Sequence, residues 1–410
     1  MKQKELVSAV SRWIGVSVFS IHAVQAGDVF TVNSIGDQPT AGLITLREAI
    51  ELANSTSGSI IDFDETLFSE PQTITLEQGD LALTSSTTIN GPGADLLTID
   101  AQGLSRVLTI DDANSTSQNV NISKITFTGG NGEAENPGDF EYDRGGCVFN
   151  KETLTLSHVV ITGCEANVDG GGFFSLNAQV TISDSEISHN STTFRGGGIK
   201  SDGGQLTITN STLSDNTANR NVFAGGAIEI NNTPLLLINS TVSNNHSAPG
   251  ATGGISVYFN STLTLINTTV VNNAGGGVLV SSNSLVNMSN SIIAGHSDGD
   301  CEFSNISAQS DNQNNLDTDG SCDVLATNHI TVTDPMLGPL TDNGGSTSTH
   351  LPLPDSPVID RGDDVLCSEV DQLGRIRPQD GDGDDIPVCD IGAIEFSFFL
   401  DELIFTNGFD

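Results

Sequence analysis

The chain has 410 residues, with 52 Asp and Glu against 14 Lys and Arg and a formal net charge of −38. That balance excludes nucleic acid and bare anionic membranes as partners, since both are bound through clustered basic side chains, and it favours divalent cations. Beyond the N-terminus no apolar stretch is long enough for a membrane helix, so a mature chain without a transmembrane segment is expected.

Residues 1–26 read as a secretory signal peptide. Lys2, Lys4 and Arg12 precede an apolar run from Trp13 to Val24, and Val24-Gln25-Ala26 supplies small residues for cleavage. The one clear helix signal follows. Thr45-Leu46-Arg47-Glu48 is a capping box, and Leu46, Ala49, Ile50 and Ala53 fall on one face before Asn54. A stacked fold has open ends whose strands would pair with another molecule, so an amphipathic helix here predicts a lid. Phe30-Thr31-Val32-Asn33 followed by Thr45-Leu46-Arg47-Glu48-Ala49-Ile50 resembles the CSLREA domain that begins many secreted bacterial β-helix proteins, with Ile44 where that pattern has its cysteine. This predicts an N-terminal cap over residues 27–60.

Strand-like runs occupy residues 60–127 without a strict period, and Gly129 to Arg144 is a long acidic loop. From Gly145 to His296 one pattern returns six times. A first polar column stands at His158, Asp184, Asn210, Asn239, Asn267 and Asn290, a second at Cys164, Asn190, Asn216, Asn245, Asn273 and His296, and both step by 26, 26, 29, 28 and 23 residues. Glycine pairs precede each unit, their second members being Gly146, Gly172, Gly198, Gly226, Gly254 and Gly277. A repeat of this size in which each unit holds short alternating runs, such as Val180-Thr181-Ile182 and Leu206-Thr207-Ile208, predicts stacked coils that bury their apolar sides only against neighbours. The expected fold is all-β: a right-handed parallel β-helix of the pectin-lyase-like kind with three strands per coil, over residues 61–300. The asparagines predict side-chain ladders between coils. Their N-x-S/T triplets at Asn190, Asn210, Asn239, Asn260 and Asn267 also read as glycosylation acceptors, a reading weakened by their being in register with the repeat.

All six cysteines follow residue 146, and six allow 15 pairings. Locality favours Cys147 with Cys164, Cys301 with Cys322 and Cys367 with Cys389. From Asp334 the repeat gives way to a proline-rich region. Asp334-Pro335-Met336-Leu337-Gly338-Pro339-Leu340, Asp342-Asn343-Gly344-Gly345, Ser356-Pro357-Val358-Ile359-Asp360, Asp371-Gln372-Leu373-Gly374-Arg375 and Cys389-Asp390-Ile391-Gly392-Ala393-Ile394-Glu395 occur in that order. Together these segments resemble the choice-of-anchor Q domain that ends secreted and surface β-helix proteins, which implies a C-terminal module over residues 301–396 and no particular chemistry. Its prolines cannot donate ladder hydrogen bonds, so it is expected to wrap the last coil as ordered loop. Arg375 and Arg377 are expected to pair with Asp360, Asp371, Asp390 or Glu395. The tail 397–410, ending Ile404-Phe405-Thr406-Asn407-Gly408-Phe409-Asp410, is similar to a short terminal motif on exported proteins of some Gram-negative bacteria, and it reads equally as a sorting tag or as a strand docked on the last coil; secretion or placement on the outer cell surface of such a bacterium is expected.

Gly225-Gly226-Ala227-Ile228 also resembles the repeats of chlamydial polymorphic outer membrane proteins, which are adhesins. The functional expectation is therefore a secreted or surface protein that is not catalytic and presents its turn loops for adhesion or glycan binding, its partner being a polysaccharide or a host or cell-surface ligand. The alternative is a polysaccharide lyase or glycoside hydrolase, since β-helix lyases and glycosidases project carboxylates and a basic residue from neighbouring coils. Its nearest residues are Asp184, Arg195 and Asp215, with Asp169, Glu186 and Lys200 beside them in sequence. No cofactor is required by either reading. Asp380-Gly381-Asp382-Gly383-Asp384-Asp385 places alternate aspartates on a flexible loop, and Asp380, Asp382 and Asp384 are the expected ligands if Ca²⁺ is bound.

Overall fold

The computed structural model describes residues 27–114, 117–132, 143–220, 224–305, 308–323 and 327–397. The signal-peptide stretch, most of the acidic loop after Gly132 and the tail beyond Ser397 lie outside the described residues.

The described chain is a right-handed parallel β-helix. Its strands form an 18-stranded sheet, an 11-stranded sheet and a 4-stranded sheet, and every strand pairing within them is parallel. The large sheet is two stripes side by side. Phe173–Ser183 and Ile199–Thr209 run across both, while in other coils the two stripes are separate strands, such as Val148–Asn150 and Thr153–Ser157.

Alternation dictates the core. Leu154, Val180, Leu206, Leu235 and Leu263 lie in register on successive coils and are all buried. Such columns continue through the first coils, where the sequence period is loose, because register depends on the inward residues and not on loop length. Each fully buried aliphatic side chain contributes about 1.5–3 kcal/mol.

The two polar columns solve different problems. In the second, the Asn190 side-chain amide donates to Asn216 Oδ1, Asn216 to Asn245 and Asn245 to Asn273, each at 2.9 Å. The same oxygens accept the backbone N–H of the preceding coil's column residue, from Cys164 N onward. His296 ends the ladder, its Nδ1 accepting from Asn273 N at 3.1 Å. In the first column His158, Asp184, Asn210, Asn239, Asn267 and Asn290 all have φ between 46° and 53°. That is the left-handed corner, which Asn and Asp enter at least cost among non-glycine residues. Asn190, Asn239 and Asn267 are buried, whereas Asn260 is exposed.

The glycine column has its own cause. Gly146, Gly171, Gly197 and Gly226 each approach a carbonyl oxygen of the following coil so closely that a Cβ would overlap it. The structural register thus follows Gly171 and Gly197 rather than Gly172 and Gly198, because Val148 pairs with Phe173 and Phe173 with Ile199.

Helix α1, Leu46–Asn54, covers the first coils as a lid. Thr45 and Glu48 form the reciprocal capping box, with Thr45 N donating to Glu48 Oε2 at 3.0 Å and Glu48 N to Thr45 Oγ1 at 3.2 Å. Leu46, Ala49, Ile50 and Ala53 are buried beneath it. Arg47 fixes its position, pairing with Asp37 at 2.8 Å and donating to the carbonyls of Gly79 and Asp80.

Stacked strands continue past Cys301 as far as Ile330–Thr331. Beyond them the chain is an irregular cap with isolated antiparallel bridges, among them Leu337 with Pro352 and Gln379 with Val388. Val358, Ile359, Ile391 and Phe396 pack on Val271, Ile292 and Leu316. The module reaches further back than wrapping the last coil would require. Thr212, Thr241 and Thr269 are in register on the outer face of the 11-stranded sheet. Their hydroxyls meet Ser348 O at 2.6 Å, Gln372 Oε1 at 2.7 Å and Ala393 N at 2.9 Å. The C-terminal region is therefore a strap that lies across several coils.

All three local disulfides are present, with Cα separations of 5.5 Å for Cys147–Cys164, 5.1 Å for Cys301–Cys322 and 6.2 Å for Cys367–Cys389. No helix among the described residues is long and apolar enough to cross a membrane.

Candidate functional site

The three residues of the enzyme alternative do not converge. Asp184 stands at the corner between the large and the 11-stranded sheets, Asp215 between the 11-stranded and the 4-stranded sheets, and Arg195 on the return to the large sheet. Arg195 is also committed. Its Nε and Nη2 hold both oxygens of buried Asp169 at 3.0 and 2.9 Å, a bidentate pair between adjacent coils.

Other residues gather instead. On the leading stripe of the large sheet the outward positions Phe149, Phe174, Lys200, Glu229 and Ser256 are in register, one per coil. Phe149 and Phe174 stack at 5.6 Å, and Arg106 and Arg144 lie over them, each 4.9 Å from a ring centroid. Next in the row, Lys200 Nζ is bonded to Asp202 Oδ1 and lies 3.7 Å from Glu229 Oε1, which is itself 3.6 Å from Arg195 Nη1. Lys200 and Glu229 are both wholly buried, and neither Glu229 oxygen has a hydrogen-bond partner. Burial pushes the Glu229 carboxyl up to about 8, against the pull of Lys200 and Arg195.

Asp169, Arg195 and Lys200 were legible as candidates, whereas Glu229 and Asp202 were missed. The missed signal is positional: each is the outward residue of a strand whose neighbours are core, visible only after the coils are aligned by register.

Asp184 belongs to a different place. With Lys124, His158, Glu186 and Asp95 it borders an open cleft of about 540 Å³, closed on one side by Ser346 at the tip of the strap. Farther along the same corner the strap covers the column, with Asn239 Nδ2 donating to Val370 O at 2.6 Å and Asn290 Nδ2 to Asp363 O at 3.0 Å. The cleft begins where that cover stops.

Arg377 and Glu395 form a buried ion pair at 3.1 Å, as expected, while Arg375 reaches the Glu395 carbonyl at 3.1 Å. The carboxylates around them accept backbone N–H groups: Asp371 from Leu373, Arg375 and Glu395, Asp390 from Asp360 and Phe396, and Glu395 from Gln379 and Asp390. Burial pushes the Glu395 carboxyl up to about 7, and burial together with Glu395 holds Asp390 well above the usual carboxylate range.

The acidic loop differs in composition from its expected ligand set. Asp360, Asp380 and Asp382 bring one oxygen each within 4.8 Å of one another, whereas Asp384 turns to accept from Ile386 N at 2.8 Å. Asp360 comes from a segment 20 residues earlier in the chain, so the loop sequence alone could not reveal it. Burial and the neighbouring Asp382 and Asp380 raise the Asp360 carboxyl, a repulsion that a cation would relieve.

No family model matches the chain, and no curated protein matches it significantly.

Proposed function

We propose that this is an exported or surface-attached β-helix protein that binds polysaccharide or a cell-surface ligand without cleaving it. A CSLREA-like cap and a choice-of-anchor Q-like strap mark it in this reading. The observation that carries it is the dispersal of Asp184, Asp215 and Arg195 over three corners, so that these three residues share no one substrate path. The cleft beside Lys124, His158 and Asp184, with half-buried Val160 in its wall, is the surface offered to a sugar chain. Three disulfides fit an oxidising compartment. Ca²⁺, where bound, is held by Asp360, Asp380 and Asp382 and steadies the strap.

The test is a screen of the protein on uronate and neutral polysaccharides, with and without Ca²⁺, reading both retention and chain length. Retention without new ends supports binding, and its loss in Asp184→Ala or His158→Ala places it in the cleft. Depolymerisation that disappears in Asp184→Asn would establish the lyase or hydrolase instead.

A further inference from the structure

The Lys200, Glu229 and Asp202 cluster is a poor salt bridge and a good reaction geometry. Burying two opposite charges is repaid only when hydrogen bonds satisfy both, and here both Glu229 oxygens lack a donor while Lys200 lies 3.7 Å away on the adjacent coil. The two residues are directly opposed in the parallel register. Phe174 flanks Lys200 on the other side, so water is excluded from that face. Asp202 alone of the three keeps an exposed edge, with its side chain 23% accessible.

We propose that Lys200 and Glu229 are joined by an isopeptide cross-link between neighbouring coils, formed with Asp202 as the base. Asp202 removes a proton from the Lys200 ammonium to which it is bonded. The freed Nζ lone pair attacks Cδ of the protonated Glu229 carboxyl, and the C–N bond forms as the C=O π pair moves to oxygen. Arg195 Nη1, 3.6 Å from Glu229 Oε1, stabilises that oxyanion. One hydroxyl then leaves with a proton from nitrogen as water, and the carbonyl re-forms. Ammonium, carboxylic acid and aspartate thus become amide, water and aspartic acid, with no oxidant or co-reactant, and Asp202 returns its proton to solvent through its exposed edge. The raised titration of Glu229 favours the protonated acid that this step needs.

The location gives the bond a purpose. Cys147–Cys164 and Cys301–Cys322 each brace a single coil, on either side of it, the paired cysteines lying 17 and 21 positions apart in sequence, whereas coil-to-coil interfaces set the stability of a stacked repeat. A covalent tie from Lys200 to Glu229 would hold the intervening stretch.

Mass spectrometry of the folded, reduced and alkylated full chain decides it. The expected mass is one water below that calculated for the same chain with its six cysteines alkylated, with no tryptic cut after Lys200 and one branched peptide containing Lys200 and Glu229. Unmodified mass together with a linear peptide ending at Lys200 overturns the proposal. Lys200→Arg keeps the charge but cannot form the amide, and is expected at full mass with a lower melting temperature. Asp202→Asn is expected to fold, by circular dichroism, without the link; a complete link in that variant overturns the role given to Asp202.

Discussion

The solenoid and the strap hold buried polar groups in opposite ways. In the solenoid the buried asparagine column is satisfied periodically, each side chain answering the same residue one coil away, as Asn190, Asn216, Asn245 and Asn273 do. In the strap, Asp371, Asp390 and Glu395 collect backbone N–H groups from segments that share no period. Periodic satisfaction spreads a loss over neighbours that still support one another. The aperiodic kind concentrates it, because one ion pair holds several loops together.

The largest effect should therefore come from the strap. Arg377→Met leaves Glu395 buried without its cation, and Arg377 also donates to Gly392 O at 2.8 Å. Above pH 7, where Glu395 is ionised, the expected cost is about 3–5 kcal/mol. Hydrogen exchange should show it confined to residues 334–397, with the strands retaining their protection. Equal loss of protection in the solenoid would mean that the two regions fold as one unit.

Within the solenoid, Asn216→Ala strips the donor from Ile187 O and Asn245 Oδ1 and the acceptor from Asn190 N. The expected loss is roughly 2–4 kcal/mol by urea unfolding, from the 1–3 kcal/mol cost of an unsatisfied buried group. Asn210→Ala, at the half-exposed left-handed corner, should cost less, through backbone strain and the loss of two long contacts, its donation to Asp184 Oδ1 at 3.3 Å and its acceptance from Asn239 Nδ2 at 3.5 Å.

That contrast explains what was legible. A ladder repeats, so six copies of Asn or its substitutes declare themselves, and the capping box of α1 and the local cysteine pairs are likewise short-range. Glu229 and Asp202 needed the register, which variable loop lengths obscure by shifting the glycine alignment from Gly172 to Gly171. The path of the strap over Thr212, Thr241 and Thr269 needed contacts more than 100 residues apart in the chain. The strap motif was visible, but its destination was not.

Titration separates the regions further. Glu395 rises from 4.5 unfolded to about 7 folded, so the stability it contributes is complete below about 4.5 and is lost as pH rises through 7. The wild-type melting temperature should fall across that window, and Glu395→Gln should flatten the slope. His350 works the other way. Its Nδ1 donates to Gly338 O at 2.7 Å, so the neutral Nε2 accepts from Ser243 Oγ at 2.9 Å. Burial holds its pKa below 6.5, and the docking it supports is lost as pH falls through that lowered value. Exchange around Thr341–Leu351 should quicken in acid, and His350→Gln should remove that dependence.

The smallest effect concerns the acidic loop and asks whether the strap relies on an ion in addition to its own amides. Asp360 already accepts from Gly381 N and Asp382 N, and Asp380 from Gly383 N and Asp385 N, so the loop has an ordered form without help. Calcium bound by Asp360, Asp380 and Asp382 would add RT ln(1 + [L]/Kd), about 1.4 kcal/mol at a tenfold excess over Kd. Divalent ions also screen a chain of net charge −38, so a raised melting temperature alone proves nothing. The comparison that counts is wild type against Asp382→Asn at matched ionic strength, with Asp384→Asn as the control that leaves the three oxygens in place. A calcium shift lost only in Asp382→Asn assigns the ion to this loop; equal shifts in all three proteins reduce it to screening.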